Sequence, residues 1–211
     1  MHGHNGHRCS LGNFARHAAA KKVALELAAA VPGVSGIVDR LHVVPAQPMD
    51  DGTVRNHVCD AFIQEPVLQT CSIQVQNRHQ TVTIRESPGE PVGLIEVAVE
   101  DGVVTLNGQV PSLSYKRLAG VLAWWVPGSR DVINGVEVVP LQEDNDDEIT
   151  DAVRLVLEKD SFVNASQIRV STRQAVVTLE GLVATAKEKD MAEADAWYVF
   201  GVDKVVNTLV A

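Results

Sequence analysis

Long apolar runs are absent from this chain of 211 residues. None approaches the ~20 residues that cross a bilayer as a helix, so no transmembrane segment is expected. Aromatic residues are few, at 4%. The three cysteines, Cys9, Cys59 and Cys71, form neither an even set nor a Cys-x-x-Cys pair. That excludes a disulfide framework and points to packing in a reducing compartment. The N-terminal MHGHNGHRCSLGNF lacks the apolar core of a secretory signal. As it stands it predicts a cytoplasmic protein; a periplasmic one is expected if the N-terminus is truncated. There is no basic stripe long enough to neutralise several phosphates, which excludes nucleic acid as a partner. No Ser/His/Asp elbow, phosphate loop or His-Glu-x-x-His is present. No catalysis, no cofactor and no metal are therefore expected.

What the chain has instead is self-similarity. GVVTLNGQVP from Gly102 and AVVTLEGLVA from Ala175 are near copies. With a shift of 73 residues, 16 of the 45 positions from Leu94 to Val138 are identical without a gap. Trp124/Trp197, Gly128/Gly201 and Asn134/Asn207 are among them. A chance match of valine-rich strands would not bring these along, so a unit is repeated. Two further fragments carry pieces of the same unit. The segment from Leu11 matches that from Leu179, with Lys21/Lys189, Gly33/Gly201 and Leu41/Leu209 coinciding. The segment from Thr53 matches that from Glu148, with Val58/Val153, Ile73/Ile168 and Val82/Val177 coinciding.

The last copy, 146–211, is complete. Asp146 or Asp147 is placed to cap a helix whose Ile149, Val153, Val156 and Leu157 share one face. Two β-rich runs follow around Arg173-Gln174, with Ile168 and Val170 alternating with polar neighbours. A second helix ends before Gly201, and a third strand closes the unit. The order α-β-β-α-β predicts an α+β fold in which two helices pack on one face of a small three-stranded mixed sheet.

This pattern resembles the BON domain family. The resemblance rests on Asp147-Glu148-Ile149, Ile168-x-Val170, Val177-Thr178-Leu179-x-Gly181 and Gly201-Val202-x-x-Val205-x-Asn207. In the middle copy it rests on Val104-Thr105-Leu106-x-Gly108 and Gly128-x-x-x-Val132-x-Asn134. Tandem BON-like units are implied over nearly the whole chain, with Gly33, Gly108, Gly128, Gly181 and Gly201 as structural glycines. The resemblance also implies a protein without enzyme activity, associated with phospholipid surfaces, envelope integrity and osmotic stress.

The copies are not three clean beads. One arrangement joins the first two fragments into a permuted unit over 9–86, leaving a middle unit, 94–140, without its own first helix. The other gives the helix at Thr53 to the middle unit and makes Ser72–Ile84 an extra hairpin. The first is favoured, because the orphan helix at Ala18 otherwise has no sheet on which to bury Val23, Leu25 and Leu27, and burial is worth roughly 1.5–3 kcal/mol per large aliphatic side chain. On that reading the segment Leu94–Leu106 is uncovered, and a homo-oligomer, another partner or lipid is expected against it.

Net charge is −9, and it is uneven: residues 1–90 are neutral and 91–211 carry all of it. All seven histidines lie in the neutral half. They predict stronger contact with acidic lipid below about pH 6.5, where His gains charge. His2, His4, His7 and Cys9 read as an adventitious metal-binding terminus, and Asp144–Glu148 as a charged linker with a helix cap. The candidate lipid-contact residues are Lys21, Lys22, Lys116 and Arg117, recurring on the second helix, with Trp125 and Tyr198 as exposed aromatics at its end. Two kinds of partner are expected: a phospholipid surface, or a protein bound through free sheet edges in a scaffold or chaperone-like role.

Overall fold

A computed structural model describes residues 7–10, 14–15, 18–29, 31–39, 41–45, 48–77 and 80–211. The N-terminal part holds β1 (His7–Ser10), β2 (Phe14–Ala15), α1 (Ala18–Ala29), β3 (Val34–Val38) and β4 (His42–Val43). Then come α2 (Asp51–Gln64), β5 (Cys71–Asn77), β6 (Gln80–Arg85), β7 (Gly93–Glu100) and β8 (Val103–Val110). The middle part ends with α3 (Leu113–Trp125), β9 (Asp131–Asn134) and β10 (Glu137–Val138). The last unit holds α4 (Asp146–Lys159), β11 (Ile168–Arg173), β12 (Val176–Gly181), α5 (Ala186–Tyr198) and β13 (Lys204–Asn207). The α+β content with mixed sheets is that expected of the repeat.

In the last unit β12 is central, antiparallel to β11 and parallel to β13. Ile149, Val153, Val156 and Leu157 of α4 are buried with Val170, Val177, Leu179 and Trp197 in one core. The N-cap of α4 is Asn145, one residue earlier than expected; its side chain accepts from the amides of Asp147 and Glu148. Asp146 is thereby released for another task. Its carboxylate accepts from the amides of Gln174 and Ala175 at 2.7 and 2.9 Å, closing the β11–β12 turn. Those hydrogen bonds hold the Asp146 carboxyl below the usual range.

Asp51 of α2 does the same for the middle unit. It accepts from the amides of Asp101 and Gly102 at 3.0 and 2.8 Å, in the β7–β8 turn. This identifies α2 as the first helix of the middle unit, and the permuted unit expected over 9–86 is corrected accordingly. The hairpin β5–β6 does not complete the Leu11–Leu41 fragment. It extends the middle sheet instead, β5 running parallel to β7 from Cys71↔Gly93 to Val75↔Val97. The sheet order is β6-β5-β7-β8, with β9 and β10 both along the outer side of β8. One helix thus covers two hairpins: Val54, Val58 and Phe62 of α2 are buried among Ile73, Val75, Ile95, Val97 and Leu106. The stretch Leu94–Leu106 is not uncovered on its helical side, and the expected oligomer contact there loses its premise.

The orphan helix α1 finds a different partner. It packs on α5 and β3, with Val23 against the last unit's core. The fragment is tied to the middle unit as well, since the Val43 amide donates to the Arg130 carbonyl at 2.8 Å.

The residues that recur have matched tasks. Asn134 Nδ2 donates to the Lys116 carbonyl at 2.7 Å, and Asn207 Nδ2 to the Lys189 carbonyl at 3.0 Å, so each stitches the third strand to the second helix. Gly108 and Gly181 have φ of +106° and +138°, where a Cβ would lie 2.2 and 2.0 Å from the carbonyl oxygens of Leu94 and Gln167.

Candidate lipid-contact surface

The cations expected on the second helices are mostly consumed within the protein. Lys21 is 7% exposed, and its ammonium lies between Asp39 at 3.0 Å and Asp131. Arg117 is 1% exposed; its guanidinium donates to the Phe200 carbonyl at 2.8 Å and to Asp144. Lys116 is half-buried, its ammonium 5.3 Å from the centre of the Phe200 ring. The side chain of Lys22 lies outside the described residues, as do His2, His4, His17 and His79 and the side chains of His7 and Cys9. The expected aromatic pair is corrected too. Trp125 is half-buried against both cores, and its Nε1 donates to Asp195 at 3.2 Å. Tyr198 is half-buried and stacks on Trp124 with ring centres 6.1 Å apart. These residues join the middle unit to the last, helped by Lys159, which donates to Glu65 at 2.8 Å.

A different basic surface exists. The helices cover one face of the β11-β12-β13 sheet. On the opposite face, alternation brings Arg169, Ser171 and Arg173 of β11 beside Val176, Thr178 and Glu180 of β12 and Lys204 and Val206 of β13. The register sets Arg173 across from Val176, and Val176 across from Lys204. Arg169, Arg173 and Lys204 are all exposed. At the strand ends Leu182 and Val210 pair in a parallel bridge and are 61% and 60% exposed. Arg169 stands across from the exposed Glu180, so the surplus positive charge lies with Arg173 and Lys204, while the other end is apolar, an arrangement suited to an interface between water and lipid headgroups.

The middle sheet answers with the opposite charge. Shifting by 73 residues, Arg169, Arg173 and Lys204 correspond to Glu96, Glu100 and Asp131. Asp203 corresponds to Arg130, and the apolar Leu182 and Val210 correspond to Gln109 and Glu137. The fold is shared, so folding does not dictate these side chains. Asp131 is already paired with Lys21. Beside Glu100 the surface sinks into an open concavity of about 680 Å³, bounded by His42, Thr105, Arg130 and Ile133.

Elsewhere the titratable groups hold the structure together. Glu188, buried, accepts from the amides of Asn164 and Ala184 at 2.8 Å each. Burial raises the Cys59 thiol to about 11, so it is not an activated nucleophile. Among the described residues no three metal-ligating side chains converge, and no helix is long and apolar enough to cross a membrane. Among the described residues the outer strand β6 pairs only with β5; Val82 and Ile84 are 44% and 46% exposed, and the ladder has a bulge opposite Ile73–Gln74.

The family model described as BON domain matches residues 86–140 and 145–211. A 21 kDa hemolysin of Actinobacillus pleuropneumoniae is 28% identical over 172 residues, covering 80% of each chain. The osmotically-inducible protein Y of Escherichia coli strain K12 is 31% identical over 121 residues, 54% of this chain and 60% of that one. The C-terminal domain of CdsD, a structural protein of the type III secretion system of Chlamydia trachomatis, aligns over 100% of this chain and 87% of its own, at 15% identity and a TM-score of 0.28, too low to carry an argument.

Proposed function

Because this chain belongs to the BON domain family, we propose that it is a non-enzymatic protein of osmotic or envelope stress that binds phospholipid surfaces peripherally. The contact is made by the open face of the last sheet: Arg169, Arg173 and Lys204 meet headgroup phosphates, and Leu182 and Val210 settle at the acyl boundary. The observation that carries this reading is the reversal of Arg169, Arg173 and Lys204 relative to Glu96, Glu100 and Asp131 at the same positions of the middle unit; the acid on the face, Glu180, stands across from Arg169. The stress context comes from the name of one relative, the osmotically-inducible protein.

A net charge of −9 rules out whole-body attraction to an anionic bilayer. A local face still works, because charge beyond a Debye length of ~10 Å at 0.1 M salt is largely screened. Each Lys or Arg near such a surface contributes about 1 kcal/mol, so three are worth about 3 kcal/mol, or roughly a hundredfold in affinity. The binding is reversible and salt-sensitive.

Flotation with vesicles of phosphatidylcholine and phosphatidylglycerol tests it. The wild-type chain is expected to rise with the vesicles, and the R169E/R173E/K204E variant to stay below with unchanged circular dichroism. Equal flotation of both proteins, or none by the wild type at low salt, overturns the reading.

A further inference from the structure

The outer strands of the two larger sheets are not equally guarded. On β11 charges stand at Arg169 and Arg173, and Arg154 of α4 donates to the Val170 carbonyl at 3.2 Å. Charge along an edge discourages a further strand. The strands β9 and β13 have four residues each, and β10 has two. The strand β6 differs. Its six residues include no proline and no charge between Gln80 and Ile84, and the side chains of that stretch are all exposed. The backbone groups an edge strand turns outward are a template for one more strand.

The cover of α2 also ends at this edge. Val82 stands across from Val75, which is buried, so both lie on the helical face of the sheet. Val58 and Phe62 of α2 are buried over β5 and β7, but Val82, Ile84 and Ile63 at the margin stay exposed. Arg85 donates to the Ile63 carbonyl at 3.2 Å, which sets the end of β6 beside Ile63. In the bulge Thr83 stands across from Gln74 and Arg85 across from Ile73, leaving Ile84 without a partner on β5. The edge is thus apolar on one face along its uncharged stretch.

We propose that β6 pairs antiparallel with β6 of a second copy about a two-fold axis at Val82, joining two middle sheets into one. The strand is self-complementary in this register. Val82 meets Val82 of the second copy, and Thr81 meets Thr83. Ile84 of each copy lies diagonal to Val82 of the other, within side-chain reach. No like charges meet across the stretch from Gln80 to Ile84, because it carries none. The regular part of the ladder, residues 80–83, lies at the centre and the bulge at the rim. A two-fold contact uses the same surface on both copies and closes at a dimer. It joins one short strand edge and few side chains, which places it among small, transient interfaces. The surface assigned to lipid is on the last sheet, so this inference goes beyond the lipid reading and does not rest on it.

Sedimentation velocity of the full chain over a concentration series, without vesicles, provides the test. The weight-average mass is expected to rise toward twice that of the monomer, about equally at 0.1 M and 1 M salt, because no ion pair between the copies is involved. V82K and V82E each put like charges directly across the axis and are expected to remain monomeric. An equimolar mixture of the two at 0.1 M salt is expected to recover association as a one-to-one pair. Circular dichroism of each variant confirms the fold, and the mixture guards against loss through misfolding. Amide hydrogen exchange locates the contact: β6 is expected to exchange more slowly as concentration rises, and β11 at an unchanged rate. R169E/R173E/K204E is expected to dimerise as the wild type does, so failure of the lipid reading leaves this result intact. A wild type monomeric at every concentration overturns the proposal, the edge then taking another partner or none. So does association that persists in V82K and V82E, that fails to return in their mixture, that leaves β6 exchange unchanged, or that is lost in R169E/R173E/K204E.

Discussion

Asp195 makes the sharpest demand on the structure. It is 4% exposed, on the α5 face that meets α3, and its Oδ1 accepts from Trp125 Nε1. Burial, and after it the charge and hydrogen bond of Asp160, raise its carboxyl to about 8 from an ordinary 3.8. The native state thus holds a proton that the unfolded state releases above about pH 4. Between those values the native state binds more protons, so stability falls as pH rises. The stabilisation is complete below the unfolded value near 4 and is lost by the time pH passes about 8. Each pH unit in that window costs about 1.4 kcal/mol, or up to about 3 kcal/mol from pH 5 to pH 7. For a chain of this size that is a drop in Tm of roughly 5–10 °C. Asp195→Asn retains an acceptor for Trp125 and offers Asp160 a donor without a titration. Thermal unfolding followed by circular dichroism from pH 5 to 8 should show a falling Tm in the wild type and a flatter profile in D195N, the variant being the more stable at pH 8. The window starts at pH 5 to avoid the carboxylates of Asp50 and Asp146, whose lowered values cost stability only as pH falls below 4. Parallel profiles for the two proteins would refute the reasoning.

Further expectations concern the shared framework. Ala175 sits at φ +59° in the turn where the middle unit has Gly102 at +74°, so A175G should raise the unfolding free energy measured in urea by about 0.5–1 kcal/mol. The converse change, G181A, would press a methyl onto the Gln167 carbonyl and should destabilise by more than about 3 kcal/mol in the same assay. Arg85 donates to the carbonyls of Phe62, Ile63, Leu68 and Cys71, tying β6 to the end of α2; R85A should cost about 2–3 kcal/mol and expose the amides of β5 and β6 to hydrogen exchange first.

The repeat and its α-β-β-α-β order were legible because the strand glycine and the third-strand asparagine each answer a backbone need. Gly108 and Gly181 avoid a carbonyl, and Asn134 and Asn207 reach a helix. Strand pairing was not legible. A fragment with the α-β-β pattern reads the same whether its hairpin closes one sheet or extends another, and α2 is long enough to cover both β5 and β7. The deciding signal was in the sequence: Asp51 stands in the same relation to its helix as Asp146, and each needs a β-turn to hold. For α2 that turn is Asp101-Gly102, outside the proposed permuted unit.

The surface cations were misplaced for a related reason. In one isolated unit the outer side of the second helix faces water, so Lys21 and Arg117 look like headgroup ligands. In the tandem chain that side is where units meet, and a guanidinium there is held by Asp144 and a carbonyl instead. Packing consumes the charges that recur or sit on helices. A contact surface is better sought among the charges that fail to recur while their backbone does. Glu96/Arg169 and Glu100/Arg173 are such positions, readable at the same 73-residue offset that revealed the repeat. Identity between repeats marks what the fold requires, and reversal between them marks where the two copies were free to diverge toward different partners.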